Sequence, residues 1–236
     1  MKVRKSPNFD DRTSAGIKYL IMHYTGMHSG KEALDRLCSA EAKVSAHYLI
    51  EENGDVYAMV DEEKRAWHAG VSKWEEDIGL NDRSIGIEIV NPGHPYPGYE
   101  SVYRPFPEKQ MEALIKLSKE ILSRHNIKPC HVLGHSDIAW QRKIDPGELF
   151  DWARLAKEGI GIWPDINPEK SCDVYSMDQF LTKLAEFGYG IEDSIEKLIV
   201  AFQRHYRPSK LDGIIDQECC LILDELIRLK SVDNRF

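Results

Sequence analysis

Five short apolar runs, Lys18 to Tyr24, Ala46 to Ile50, Val56 to Val60, Ser84 to Val90 and His131 to Gly134, are interleaved with turn signals and helical patterns. This interleaving constrains the fold more than any other feature, because strands and helices that alternate along a chain pack as an α/β domain, here a mixed central β-sheet flanked by helices. Asn53-Gly54-Asp55 lies between the second and third runs. Asn-Gly supplies the positive φ of a two-residue hairpin loop, so these two strands are expected to be antiparallel neighbours. Between Glu108 and His125, Met111, Leu114, Ile115, Ile121 and Leu122 recur at helical spacing after Pro107, which predicts an amphipathic helix. Residues 91–107 hold five prolines and four aromatics and are expected to form an irregular loop packed by its rings.

The pattern changes after Trp163-Pro164-Asp165, where three helical stretches follow: Met177 to Phe187, Ile191 to Tyr206 and Asp216 to Lys230. Ile195, Leu198, Ile199, Phe202 and Tyr206 form one stripe, and Ile222, Leu223, Leu226 and Leu229 another. The chain therefore divides into a larger unit, 1–170, and a three-helix unit, 171–236. A unit of about 65 residues is near the lower limit for folding alone, so docking on the larger unit is expected.

Composition narrows the partners. Of 236 residues, 42% are hydrophobic, enough for a packed core, and the net charge of -8 argues against nucleic acid as the main partner. No apolar run approaches the roughly 18 residues of a membrane span, and the polar stretch Met1 to Ser14 does not read as a signal peptide. Cys38, Cys130, Cys172, Cys219 and Cys220 lack metal-ligand or disulfide spacing and read mostly as thiols.

Two of nine histidines fall where strands end: His23 closes the run Tyr19 to Met22, and His135 follows Val132-Leu133-Gly134. Asp145 lies in a loop soon afterwards. Two imidazoles and one carboxylate make a three-ligand zinc set with a fourth position open for water, as in catalytic sites. His131 cannot pair with His135 on one ion, because four residues of extended strand separate them too far, and it reads as structural. Glu88 shares a strand face with Gly86, and is either a solvated carboxylate or a buried base beside which the glycine leaves room for substrate. Lys143, two residues before Asp145, could stabilise an oxyanion or be a surface lysine.

Together, Ile21-Met22-His23-Tyr24-Thr25, Ser45-Ala46-His47-Tyr48, Trp67-His68-Ala69-Gly70, Ser84 to Glu88, Gly134 to Ala139 and Arg142 to Gly147 resemble, in that order, the type 2 N-acetylmuramoyl-L-alanine amidase family, which includes phage lysozyme-like amidases and peptidoglycan recognition proteins. The resemblance covers Lys18 to Asp165. It implies the amidase fold, His23, His135 and Asp145 as ligands of Zn2+, Glu88 as acid/base and Lys143 as its helper near the oxyanion. It further places His47, Trp67 and His68 around the substrate cleft. Phage members carry a cysteine as third ligand and a tyrosine near the position of Ala46; with Asp145 and Ala46, this chain resembles the bacterial enzymes in which a glutamate moves the proton. Ala201 to Tyr206 and Asp212 to Asp216 resemble the three-helix peptidoglycan-binding domain. A tail that only covers an apolar face of the larger unit is the alternative.

The resemblance implies hydrolysis of the amide between the lactyl group of muramic acid, intact or 1,6-anhydro, and the L-alanine of the stem peptide, with peptidoglycan or muropeptides as partners. A binding-only recognition module is the main rival. A zinc peptidase would need an arrangement such as His-Glu-x-x-His, which this sequence lacks. An enzyme of recycling would act in the cytoplasm and an exported one at the cell envelope.

Overall fold

Six strands build one sheet in the computed structural model, which describes residues 1–233 apart from 15, 168, 170 and 193. They are β1 (Lys2–Val3), β2 (Tyr19–Tyr24), β3 (Tyr48–Ile50), β4 (Val56–Ala58), β5 (Ser84–Ile89) and β6 (Val132–Gly134), in the spatial order β1-β4-β3-β5-β2-β6. Only the β3/β4 pair is antiparallel, so the sheet is mixed. The hairpin is corrected in one respect. Ile50 pairs with Val56, and the loop runs from Glu51 to Asp55. Gly54 alone takes a positive φ, 88°, and its N–H donates to the Glu51 carbonyl at 2.9 Å. A turn closed one residue later than a two-residue loop needs only one left-handed position, which the glycine fills.

The central strands are apolar on both faces because both are covered. On one side lies α2 (Glu108–Arg124), which buries Met111, Leu114, Leu117 and Ile121 against Leu20, Met22, Ile85, Ile87 and Ile89. Gln110 on the same helix donates to the Ile50 and Val90 carbonyls at 3.0 and 2.9 Å, fixing the helix to the ends of β3 and β5. Residues 91–107 are irregular and ring-packed, with His94 stacked on Tyr103 and Tyr96 on Tyr99. The sequence reading has no helix at α1 (Gly30–Leu37), a short helix capped by Ser29, whose hydroxyl accepts from Glu32 N–H. It buries Ala33, Leu34 and Leu37 near Leu49 and Met59. A one-turn helix, α3 (His135–Ile138), follows β6, and α4 (Trp152–Lys157) comes next.

The tail helices are α5 (Met177–Phe187), α6 (Ile195–Tyr206) and α7 (Gln217–Asp233). The second begins at Ile195, not Ile191; residue 193, like residue 170 at the expected division, lies outside the described residues. Phe180, Phe187, Phe202 and Leu223 share one buried cluster with Tyr19, Ile21, Trp74 and Leu133 of the larger unit. Polar groups cross the same boundary. Asp137 is fully buried and accepts from Gly134 N–H at 2.7 Å, from the Tyr189 hydroxyl at 2.7 Å and from His205 Nδ1 at 2.7 Å. Gln203, Arg207, Asp212 and Asp216 are bonded to one another, so these residues hold the α6–α7 connection together. Among the described residues no helix is long and apolar enough to cross a membrane, and no disulfide joins the cysteines.

Candidate active site

The parallel pairing of β2 with β5 sets His23 directly opposite Glu88 at the carboxyl ends of the strands. Pairing of β6 with β2 places Gly134 opposite Met22, so His135 emerges beside His23. Ligands of open α/β sheets bind beyond these strand ends. The loop after α3 returns Asp145 to the same point, where its carbonyl accepts from Ser136 N–H at 2.8 Å.

Three donor atoms converge there. Nδ1 of His23 lies 3.0 Å from Nδ1 of His135, and Asp145 Oδ2 is 3.1 Å from each. All three side chains are buried. Burial pushes the His23 imidazole down to about 4, helped by His135 and resisted by Asp145. Burial alone would raise the Asp145 carboxyl, yet the imidazoles of His135 and His23 bring it far below the usual carboxylate range. The cluster thus favours an ionised carboxylate beside a neutral His23, the protonation states a cation requires of such ligands.

A cavity of about 480 Å³ opens above the cluster, lined also by Glu88, Lys143, Trp67 and His68. Glu88 is partly exposed to it, but its Oε2 is buried and has no hydrogen-bond partner. Burial raises its carboxyl to about 8, with Asp145 adding to the rise and Lys143 opposing it. Glu88 is therefore a half-buried carboxylate with one oxygen removed from solvent. Trp67 lines the cavity while its Nε1–H donates to Asp10 at 2.7 Å. His131 lies away from the cluster, its ring tilted against that of Tyr19 and its Nε2 3.2 Å from Glu75.

Two sequence expectations are corrected. Gly86 leaves no room for substrate: a Cβ there would sit 2.4–2.8 Å from the ring of His68, which fills the space. His47 does not reach the cavity. It is fully buried, with Nδ1 accepting from Gly86 N–H at 3.0 Å and Nε2 3.0 Å from the Lys64 carbonyl, so it ties strands together. The cavity also has walls that sequence reasoning missed: Arg36 and Glu32 of α1, Met27, and the stacked Tyr96 and Tyr99 of the 91–107 loop. Only the aromatic content of that loop signalled them.

A mixed sheet carries at its strand ends a two-histidine, one-carboxylate cluster that could hold a metal ion, with a half-buried glutamate beside it, the arrangement of a candidate hydrolase site. The chain belongs to the N-acetylmuramoyl-L-alanine amidase family, whose model matches residues 12–148. It is 38% identical to the N-acetylmuramoyl-L-alanine amidase AmiD of Escherichia coli, across 92% of this chain and 84% of that protein. The structure of that AmiD in complex with the substrate anhydro-N-acetylmuramic acid-L-Ala-D-gamma-Glu-L-Lys superposes with a TM-score of 0.81, at 36% identity, over 93% of this chain and 92% of that one. AmpDH3 of Pseudomonas aeruginosa in complex with anhydromuramic pentapeptide gives 0.79, at 32% identity, over 97% and 98%. AmiD is an amidase, and its match covers more than nine-tenths of this chain, sheet and tail together, so the chain is an amidase rather than a binding-only module.

Proposed function

We propose that this amidase uses zinc, held by His23, His135 and Asp145, to cleave the amide between the lactyl carbonyl of muramic acid and L-alanine, and that it accepts 1,6-anhydro-muropeptides. The observation that carries this reading is the convergence of two Nδ1 atoms and one carboxylate oxygen within 3.0–3.1 Å of one another on the cavity wall. The donor set fits: two imidazoles and a carboxylate are a common catalytic zinc set. When bound, zinc would supply Lewis acidity, which lowers the pKa of water to about 7. The anhydro sugar enters by similarity to the AmiD and AmpDH3 complexes.

The chain's own groups then divide the work. Glu88, whose carboxyl lies near neutrality and whose Oε2 lacks a partner, takes the proton of the attacking water and delivers it to the alanine nitrogen. Such acid/base transfer contributes about 10²–10⁴-fold. Lys143, on the same cavity wall, stabilises the carbonyl oxygen as it gains charge. Trp67 lines the same cavity and offers its ring as a wall for substrate. For the tail we propose retention on peptidoglycan, supported by the resemblance of 201–206 and 212–216 to the wall-binding domain.

Incubation of the zinc-loaded protein with a soluble anhydro-muropeptide, followed by mass spectrometry, should yield the free anhydro sugar and a stem peptide that begins with L-alanine. Removal of metal by chelation should abolish this cleavage with the fold intact, and added zinc should restore it. Full activity in protein shown by elemental analysis to be metal-free would overturn the zinc assignment. Parallel digestion of intact sacculi measures how far the polymer is also a substrate.

A further inference from the structure

Both histidines of the cluster turn Nδ1 toward its centre and Nε2 outward, and each Nε2 is engaged. His135 Nε2 lies 3.0 Å from the Ala69 carbonyl, which can only accept, so His135 carries its proton on Nε2 and leaves Nδ1 bare. His23 Nε2 lies 3.0 Å from Nδ1 of a third imidazole, His68, and this contact does not by itself say where the proton sits.

The ambiguity is resolved two bonds further out. Ser84 Oγ lies 2.6 Å from the Leu80 carbonyl, and its single proton must occupy that bond, since a carbonyl cannot donate. The hydroxyl oxygen therefore accepts from His68 Nε2 at 3.1 Å. His68 Nδ1 is left as an acceptor, so His23 donates from Nε2 and its Nδ1 is also bare. The opposite tautomer would set a lone pair of His68 against one of Ser84, or require an imidazolium packed 5.1 and 5.6 Å from two further imidazoles. Both ring nitrogens of His68 are consumed in this way, and it offers the cavity only its carbon edge.

The second wire ends on the same turn. Asn81 Oδ1 accepts from the N–H groups of His68 and Ala69 at 3.1 and 2.6 Å and so fixes the carbonyl that orients His135. That carbonyl also accepts from Arg142 at 2.6 Å. We propose that the turn 80–84 is the positioning device of the centre: Ser84 and Asn81 dictate which nitrogen of His23 and His135 is free to bind a cation, and His68 is a proton-fixing relay instead of a substrate ligand. This rests on the reading of His23, His135 and Asp145 as zinc ligands.

Two measurements keep the wiring and that reading apart. A 1H–15N imidazole spectrum of the metal-free, unmutated protein should show His68 protonated at Nε2 only, as its bond to Ser84 requires. A spectrum with His68 protonated at Nδ1 overturns the wiring, whatever zinc does. Chelator competition with zinc alone should then show Ser84→Ala binding about 10–100-fold more weakly, the usual scale for losing such an outer partner, with Ser84→Thr restoring affinity. Wild-type affinity in a folded Ser84→Ala overturns the positioning role. Should Ser84→Ala fail to fold, the spectrum of the unmutated protein still decides. Failure of the unmutated protein to bind zinc sinks the ligand assignment instead and leaves the spectrum to judge the turn.

Discussion

Glu88 holds a carboxylate oxygen that no described group satisfies, and this isolation has a thermodynamic signature in metal-free protein. Its carboxyl is held up to about 8 in the fold against an ordinary 4.5. The fold binds that proton more tightly than the unfolded chain does, so stability is undiminished below pH 4.5 and declines as pH rises toward 8. Glu88→Gln in chelated protein should therefore melt at the wild-type temperature in acid and progressively above it as pH approaches 8; parallel melting curves at every pH would contradict the burial argument. In zinc-loaded protein, Glu88→Ala should keep normal metal stoichiometry yet lose about 10²-fold or more in kcat, while His135→Ala should lose the metal. His23, His135 and Asp145 stood out in the sequence because histidines at strand ends and a nearby loop carboxylate are uncommon company. Ser84 and Asn81 gave no such signal. Serine and asparagine are frequent in turns, and what sets these two apart is the tertiary path from the turn to two imidazoles.

At the scale of the element, β5 carries more than Glu88. Gly86 faces the ring of His68 so closely that a methyl group would overlap it, and the ring cannot retreat without breaking its bonds to His23 and Ser84. Gly86→Ala should cost about 1–3 kcal/mol by overpacking and weaken zinc binding in proportion to the displacement of His68. Denaturant melts and zinc titration of one preparation test both halves; a variant with native stability and affinity would show that the strand can yield. The period-2 pattern revealed which residues share the face of Glu88 and could not reveal what lies above them. Likewise α5 keeps the bounds read from the sequence, Met177–Phe187, and the structure adds a capping box in which Ser176 and Gln179 satisfy each other's backbone, whereas α1 begins on glycine and spans only Gly30–Leu37, too little to show a period. The strand pairs Phe9–Asp11 with Lys64–Ala66 and Lys73–Trp74 with Asp77–Ile78 are short and rich in charge, so they left no apolar trace.

For the whole molecule, the tail and the sheet are joined through their interiors. Loss of the tail would uncover Tyr19, Trp74 and Leu133 and strip buried Asp137 of Tyr189 and His205. Leaving a buried carboxylate without its partners is among the more destabilising changes a fold can suffer. A chain ending at Asp165 should accordingly aggregate or unfold, read by size exclusion and circular dichroism; a monomeric, native-like product would mean that the tail only rests on the sheet. The sequence showed where the helical stripes lie but not that their partner is the back of β2 and β6, because a stripe records that a face is buried and not by what. The clasp of Asp137 has one more consequence, for a protein whose backbone is interrupted. Since the two units adhere through an interior and not through the chain between them, a single proteolytic nick within 165–176 should leave both fragments together as one particle, parted by denaturant and able to find each other again when it is diluted away.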